Sequence, residues 1–206
     1  MYVHKTPKLL EILYPGLTWH KTRNHKKIYL TFDDGPVPNA TDFVLETLKS
    51  MGVKGNFFCV GDNIRKHPQT YEKLKESGHR IGNHTYNHMN GWKTEDSTYL
   101  KNIATCQEVL DEEVLPKLFR PPYGKIKRSQ AKEVSKSHEV IMWDVLSGDF
   151  DPALDDDVCL KRSCELSRNG SIIIFHDSNK SFSKLKYVLP RYIEKMQSQG
   201  MSFEYL

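Results

Sequence analysis

The sequence predicts an α/β fold, a deformed (β/α) barrel of about seven parallel strands, and two observations carry that expectation. Short, nearly continuous apolar runs alternate with longer amphipathic ones along the 206 residues. A continuous apolar run is what a strand buried on both faces of a parallel sheet requires. Glycines stand at the joins: Gly52, Gly78 and Gly200 each follow a helix-like stretch and precede a strand-like one, where a left-handed cap ends a helix. Strand–helix–strand repetition with short connections dictates right-handed parallel crossovers.

The expected strands are Ile28–Phe32, Asn56–Val60, Arg80–Asn83, Leu118–Arg120, Val140–Trp143, Ile172–Phe175 and Ser202–Tyr205. Between them, Val44, Leu45, Leu48 and Met51 share one helical face, as do Leu100, Ile103, Gln107, Leu110 and Val114 with one polar interruption. The last helix is the clearest, with Leu185, Val188, Leu189, Tyr192, Ile193 and Met196 in an unbroken stripe. The chain reads as one catalytic-size domain over residues 1–206, with 1–25 as a short N-terminal arm.

Composition narrows the function classes. Thirty Lys and Arg against 26 Asp and Glu give +4, too small and too scattered an excess to predict a nucleic-acid partner. No apolar run is long enough for a transmembrane helix. Pro7 and Glu11 bracket Leu9 and Leu10, so no signal-peptide core is read, which favours the cytoplasm over a chain that starts after a removed leader. Cys59, Cys106, Cys159 and Cys164 have no CxxC spacing and read as free thiols rather than zinc ligands or disulfides. Oligomeric state leaves no mark in the sequence.

In α/β folds chemistry collects where strands run into the following loops, and the reactive residue types do stand there. After the first strand comes Thr31-Phe32-Asp33-Asp34-Gly35-Pro36. Adjacent carboxylates repel, and a bound cation would relieve that cost; an acidic, helix-capping turn is the plainer alternative. After the third comes His84-Thr85-Tyr86-Asn87-His88, on a loop or a single helical turn. Alone this is two surface histidines. With Asp34 it is a two-histidine, one-carboxylate set that leaves coordination positions open, as a catalytic divalent ion needs. After the fourth comes Arg120-Pro121-Pro122-Tyr123-Gly124. Arg120 can hold a carboxylate through its planar fork, and Tyr123 has the first backbone N–H after two prolines; the same residues also suit a rigid rim loop. After the fifth come Trp143, Asp144, Asp149, Phe150 and Asp151, and after the sixth His176-Asp177. A histidine directly after a buried strand is placed as an acid or base, or as a satisfied core-edge residue.

Taken together these segments resemble the polysaccharide deacetylases of the NodB-homology group, the fourth family of carbohydrate esterases. Thr31–Pro36 resembles the family's TFDDGP motif, His84–His88 its H[ST]xxH motif, Arg120–Tyr123 its third motif, and Ile172–His176 its last, over a region from about Ile28 to the C-terminus. Where the family usually has Asp-Trp, this chain has Asp149-Phe150, which alters the shape of the acetyl pocket. The resemblance implies a metal-dependent hydrolase removing N-acetyl groups from GlcNAc-type poly- or oligosaccharides. By position it implies Asp34, His84 and His88 as ligands of one divalent ion, usually Zn2+. It implies Asp33 as general base oriented by Arg120, and His176 as general acid partnered by Asp149. Tyr123 would offer its N–H to the oxyanion, and Ile174, Trp143, Phe150 and Tyr123 would line the substrate pocket. Two rival readings remain: a non-catalytic carbohydrate-binding protein on the same fold, and a metal-dependent amidase acting on a non-sugar amide.

Overall fold

β1 (Lys27–Asp33) is the axis of the sheet. In the computed structural model, which describes residues 2–111 and 115–206, it pairs with β2 (Asn56–Cys59) on one side and β7 (Ser171–His176) on the other. From β2 the sheet continues through β3 (Arg80–Asn83) and β4 (Lys117–Phe119) to β5 (His138–Val140). Beyond β7 it ends on β6 (Val145–Leu146). β8 (Ser202–Phe203) lies against Lys27 and Ile28, on the edge of β1 that β2 takes over from Thr31 onward. All pairings between these strands are parallel, and the sheet curls as a half-barrel, the deformed β/α barrel that the sequence predicts.

Helices α1 (Lys8–Leu13), α2 (Ala40–Met51), α3 (Gly61–Lys66), α4 (Pro68–Glu76), α5 (Asp96–Leu110), α6 (Arg128–Val134), α7 (Asp156–Leu166) and α8 (Phe182–Ser198) are interleaved with the strands. The apolar stripe of α8 is buried over its whole length against Ile28, Leu30, Phe32, Ile173 and Phe175. Each such side chain contributes about 1.5–3 kcal/mol of burial, which anchors α8 even though Pro190 interrupts its hydrogen-bond ladder. Gly52, Gly78 and Gly200 take the left-handed conformation expected of them (φ 64°, 69° and 77°). Of the α5 stripe, Ile103 and Leu110 are buried, and Val114 lies outside the described residues.

Strand alternation decides what faces the site. On β1, Ile28, Leu30 and Phe32 join the helix-side core, while Tyr29 joins an inner cluster with Phe58, Leu118, Ile141 and Ile172. Thr31 and Asp33 share the face of Tyr29, and on β7 Ile174 and His176 share the face of Ile172. The register pairs Thr31 with Ile174 and Asp33 with His176, so the carboxylate and the imidazole stand side by side at the C-terminal rim.

One expected strand is corrected. Val140–Trp143 is not a strand: β5 stops at Val140 and β6 starts at Val145. The partner changes within the segment. Ile141 N–H still donates to Phe119 of β4 (2.8 Å), but Met142 N–H donates to Thr18 of the N-terminal arm (2.7 Å). The Asp144 carboxylate then accepts Ile172 N–H (2.9 Å) and Ser171 Oγ–H (3.0 Å). The chain thus crosses from one edge of the half-barrel to the other, and bridges Thr18–Ile141, Lys5–Val145 and His20–Ser171 pack the arm into that seam. No described helix is long and apolar enough to cross a membrane.

Candidate active site

The loop after β1 starts with Asp34 at φ 79°, a left-handed residue that turns its side chain back over the strand ends. Asn63 Nδ2–H holds the Asp34 carbonyl (2.7 Å). In the loop after β3, Thr85 (φ 63°) and His88 (φ 54°) are also left-handed. They fold the segment so that both imidazoles converge, with ring centroids 5.0 Å apart. Asn102 Oδ1 pins the loop by accepting Tyr86 and Asn87 N–H (2.8 and 3.1 Å). Asp34 Oδ1 lies 3.0 Å from His88 Nε2 and 3.6 Å from His84 Nε2, and the three ligand atoms all fall within 4.8 Å of one another.

The donor set fits one divalent ion. His84 Nδ1–H donates to the Arg120 carbonyl (2.8 Å), which assigns the proton to Nδ1 and leaves the Nε2 lone pair facing Asp34. Burial, opposed by Asp33 and Asp34, pushes His84 down to about 4, so the ring is neutral and able to ligate at pH 7. His88 Nδ1 meets the Tyr123 hydroxyl (3.1 Å), and its Nε2 faces Asp34 Oδ1. Burial works against the Asp34 charge, but the His88 hydrogen bond and the imidazoles of His176, His84 and His88 outweigh it. They hold the carboxyl well below the usual carboxylate range.

Asp33 points the other way. Its Oδ1 accepts Arg120 NH1–H at 2.6 Å, while Oδ2 lies 4.0 Å from His84 Nε2. Arg120 is fully buried, and each of its three nitrogens has a further acceptor: NH1 on Thr31 Oγ1 (2.8 Å), Nε on the Ile141 carbonyl (3.3 Å) and NH2 on the Met142 carbonyl (3.1 Å). The guanidinium lies over the Phe58 ring at 4.1 Å. A fork held at every nitrogen fixes the carboxylate it holds.

His176 and Asp149 form the second pair. Asp149 Oδ1 accepts His176 Nδ1–H (2.8 Å), and its Oδ2 accepts the His176 backbone N–H (2.7 Å). Ser147 Oγ–H also donates to Oδ1 (3.0 Å). Burial pushes His176 down, but Asp149's charge and hydrogen bond, with Asp34 and Asp33 behind them, raise it to about 9. The free Nε2 is therefore protonated at neutral pH.

These groups line one cleft of ≈ 700 Å³. Asp33, Asp34, His84, His88, Tyr123, Trp143, Phe150, Ile174 and His176 are in its wall, while Arg120 and Asp149 stand behind it. Tyr123 sits at φ 61° in a short 3-10 turn, Pro122–Gly124, whose hydrogen bonds begin at Gly124 N–H and leave the Tyr123 N–H unused. Asp144 and Asp151 stay out of the site: Asp144 tethers the seam, and Asp151 accepts the Tyr2 hydroxyl.

Sequence reasoning missed four contributors. Thr31 bridges Arg120 and the Ile173 carbonyl; a hydroxyl on the inner face of an apolar strand was its signal. Asn63 holds Asp34 from the start of α3. Asp177, buried, accepts Gly35 N–H (3.1 Å) and Thr41 Oγ–H (2.6 Å), and burial pushes its carboxyl up to about 8. A Cβ on Gly35 would lie 2.0 Å from Asp177 Oδ2, so glycine is required in that turn. Tyr2 reaches the cleft from the arm, with no sequence signal at all.

Residues 20–142 match the family model for polysaccharide deacetylase. The chain is 34% identical over 158 residues to a peptidoglycan-N-acetylglucosamine deacetylase of Bacillus cereus, covering 75% of this chain and 57% of that one. It is 30% identical over 185 residues to PgdA, a peptidoglycan-N-acetylglucosamine deacetylase of Listeria monocytogenes, covering 89% of this chain and 38% of that one. The chain thus spans well under two thirds of both relatives. The crystal structure of the Bc1960 peptidoglycan N-acetylglucosamine deacetylase superposes with a TM-score of 0.90 at 29% identity, covering 98% of this chain and 95% of that one. A mutant of BA3943, described as a family pseudoenzyme with restored enzymatic activity, superposes at 0.81 with 25% identity, covering 96% of this chain and 72% of that one.

Proposed function

This chain belongs to the polysaccharide deacetylase family, and from that premise we propose that it hydrolyses N-acetyl groups on GlcNAc-type poly- or oligosaccharides, using one Zn2+ held by Asp34, His84 and His88. One observation carries the reading: a two-histidine, one-carboxylate set lies between a carboxylate clamped by arginine and an imidazole clamped by aspartate. Amide hydrolysis needs that sequence of groups, because water is a poor nucleophile, the carbonyl a poor electrophile, and an amine cannot leave as an anion.

An ion held by Asp34, His84 and His88 would supply Lewis acidity to the carbonyl and the attacking water. Asp33 takes a proton from that water through Oδ2, the oxygen that Arg120 does not occupy. The Tyr123 N–H donates to the developing oxyanion, where one good donor contributes about 3–4 kcal/mol. His176 Nε2–H delivers the proton to the departing nitrogen as the C–N bond breaks, and acetate and a free amino sugar are released. Leu146, Ile174, Trp143 and Phe150 offer the acetyl methyl an apolar wall.

The sugar is supported by the kinship with deacetylases named for peptidoglycan and for chitooligosaccharides. The reading is tested by acetate release from an acetylated chitooligosaccharide: chelation should abolish it and Zn2+ should restore it. Release that persists without metal would sink it. His84→Ala should lower bound metal and activity together, read by elemental analysis and acetate assay; full metal content in that variant would remove His84 from the ligand set.

A carbohydrate-binding role without catalysis is the second reading, because the fold also carries a pseudoenzyme. The intact Asp33–Arg120 and His176–Asp149 pairs argue against it.

A further inference from the structure

Two cavities meet at the N-terminal arm. The ≈ 700 Å³ cleft and a second, largely apolar groove of ≈ 280 Å³ share Tyr2, Tyr123, Lys125, Trp143 and Leu146 in their walls. Beyond that partition the groove is lined by Leu10, Tyr14, Trp19, Trp92 and Ile126. Tyr2 is the member that reaches the partition from outside the barrel. Its ring lies on Phe150 with centroids 4.9 Å apart, and Phe150 in turn meets the His176 ring edge-on at 5.2 Å.

Tyr2 is held firmly for a residue so near a terminus. Its hydroxyl donates to Asp151 Oδ2 (3.0 Å), and burial together with Asp151 raises the phenol to about 12, so it remains a donor across the working pH range. Behind it the arm pairs with the β6 edge: Leu146 N–H donates to the His4 carbonyl (2.9 Å) and Thr6 N–H to the Asp144 carbonyl (3.1 Å). Gly148, at φ 82°, leaves room for this approach, since a Cβ there would lie 2.9 Å from the Tyr2 hydroxyl and 2.8 Å from the His4 ring.

Leu146 and Ile174, register partners on β6 and β7, line the same cleft as the Asp34–His84–His88 set and His176, so an acyl carbonyl seated among those groups would direct its alkyl end at them. Leu146 is also part of the partition. A methyl would stop short of it, and a longer chain would have to enter the groove. Resting on the proposed deacetylase reading, we infer that Tyr2 is a specificity-determining residue: its ring walls the acyl end of the cleft off from the apolar groove and restricts the substrate to short N-acyl groups.

The test compares N-acetyl and N-butyryl chitotetraose with the Zn2+-loaded wild type, Tyr2→Ala, Tyr2→Leu and Tyr2→Phe. Opening the wall should raise the butyryl-to-acetyl ratio of kcat/KM by about tenfold or more in Tyr2→Ala, the range that methylenes command in an apolar pocket. Tyr2→Leu keeps an apolar anchor on the arm and should move the ratio in the same direction even if alanine unseats the arm. Tyr2→Phe loses only the Asp151 bond and should keep the wild-type ratio. An unchanged ratio in both Tyr2→Ala and Tyr2→Leu, or an equal shift in Tyr2→Phe, would overturn the inference while leaving the deacetylase reading intact. A wild type that releases neither acyl group would overturn that reading instead; the calorimetric affinity ratio of the two oligomers across the same variants then decides the role of Tyr2.

Discussion

Asp33→Asn should lose about two to four orders of magnitude in turnover, the contribution of a positioned general base, while keeping its divalent ion. The two effects separate because the carboxylates are divided between two tasks. Asp34 faces His84 and His88, whereas Asp33 spends Oδ1 on Arg120 and keeps Oδ2 toward the cleft. Asparagine fills the same volume and accepts the same Arg120 hydrogen bond, but its amide cannot take a proton from water at neutral pH. The substitution also leaves Arg120 without its counter-charge in a fully buried place, and breaking such a pair costs about 3–5 kcal/mol. Thr31 and the Ile141 and Met142 carbonyls still accept from all three guanidinium nitrogens, so the cost should fall toward the lower end. The measurements are kcat for acetate release, metal content and melting temperature on one preparation. Near-wild-type kcat in a folded, metal-loaded Asp33→Asn would pass the base role to another carboxylate, with Asp149 the next in reach of the site.

The reactive residues were legible because strand ends are legible. An apolar run that stops at a charged residue places that residue at the rim, and Asp33, Arg120 and His176 follow such runs, whereas His84 follows the largely polar Arg80–Asn83. Register then does the rest: Asp33 and His176 are direct partners across β1 and β7, a fact that alternation alone anticipates only as to face. What stayed hidden depends on contacts between segments distant in the chain. The apolar pattern at Val140–Trp143 promises a strand, yet the arm captures Met142 through Thr18, and the Asp144 side chain takes the Ile172 N–H. Nothing local to residues 140–143 records either partner. The role of the N-terminal arm is equally unmarked in the sequence, because it comes from the seam that the half-barrel leaves between β5 and β6. The left-handed backbone at Asp34, Thr85, His88 and Tyr123 is equally invisible, since none of these residues is glycine. It is imposed by hydrogen bonds such as Asn63 to Asp34 and Asn102 to Tyr86 and Asn87.

His176→Ala should damage hydrolysis of an N-acetyl sugar far more than hydrolysis of an aryl acetate. A phenolate leaves without help, whereas an amine must be protonated as it departs, and the loss should approach about two to four orders of magnitude only for the amide. The pH profile carries the same assignment. His176 lies at about 9, above the usual histidine value, so the acid form is fully present below the normal range and is lost as pH rises through the raised value. The rate should therefore fall on its alkaline side as that proton leaves. An ion held by Asp34, His84 and His88 offsets the part of the shift owed to Asp34 and adds its own repulsion, which places the limb of the loaded enzyme below 9. The part owed to Asp149 survives, because that carboxylate sits on the far side of the ring, bound to Nδ1 and to the backbone N–H. Asp149→Asn removes the charge and keeps the shape, so its alkaline limb should move to lower pH and its rate at neutral pH should drop, with metal content unchanged. A limb that stays in place in Asp149→Asn would assign it to another group. Equal losses on amide and ester in His176→Ala would show that the imidazole stabilises the addition step common to both rather than the departing nitrogen.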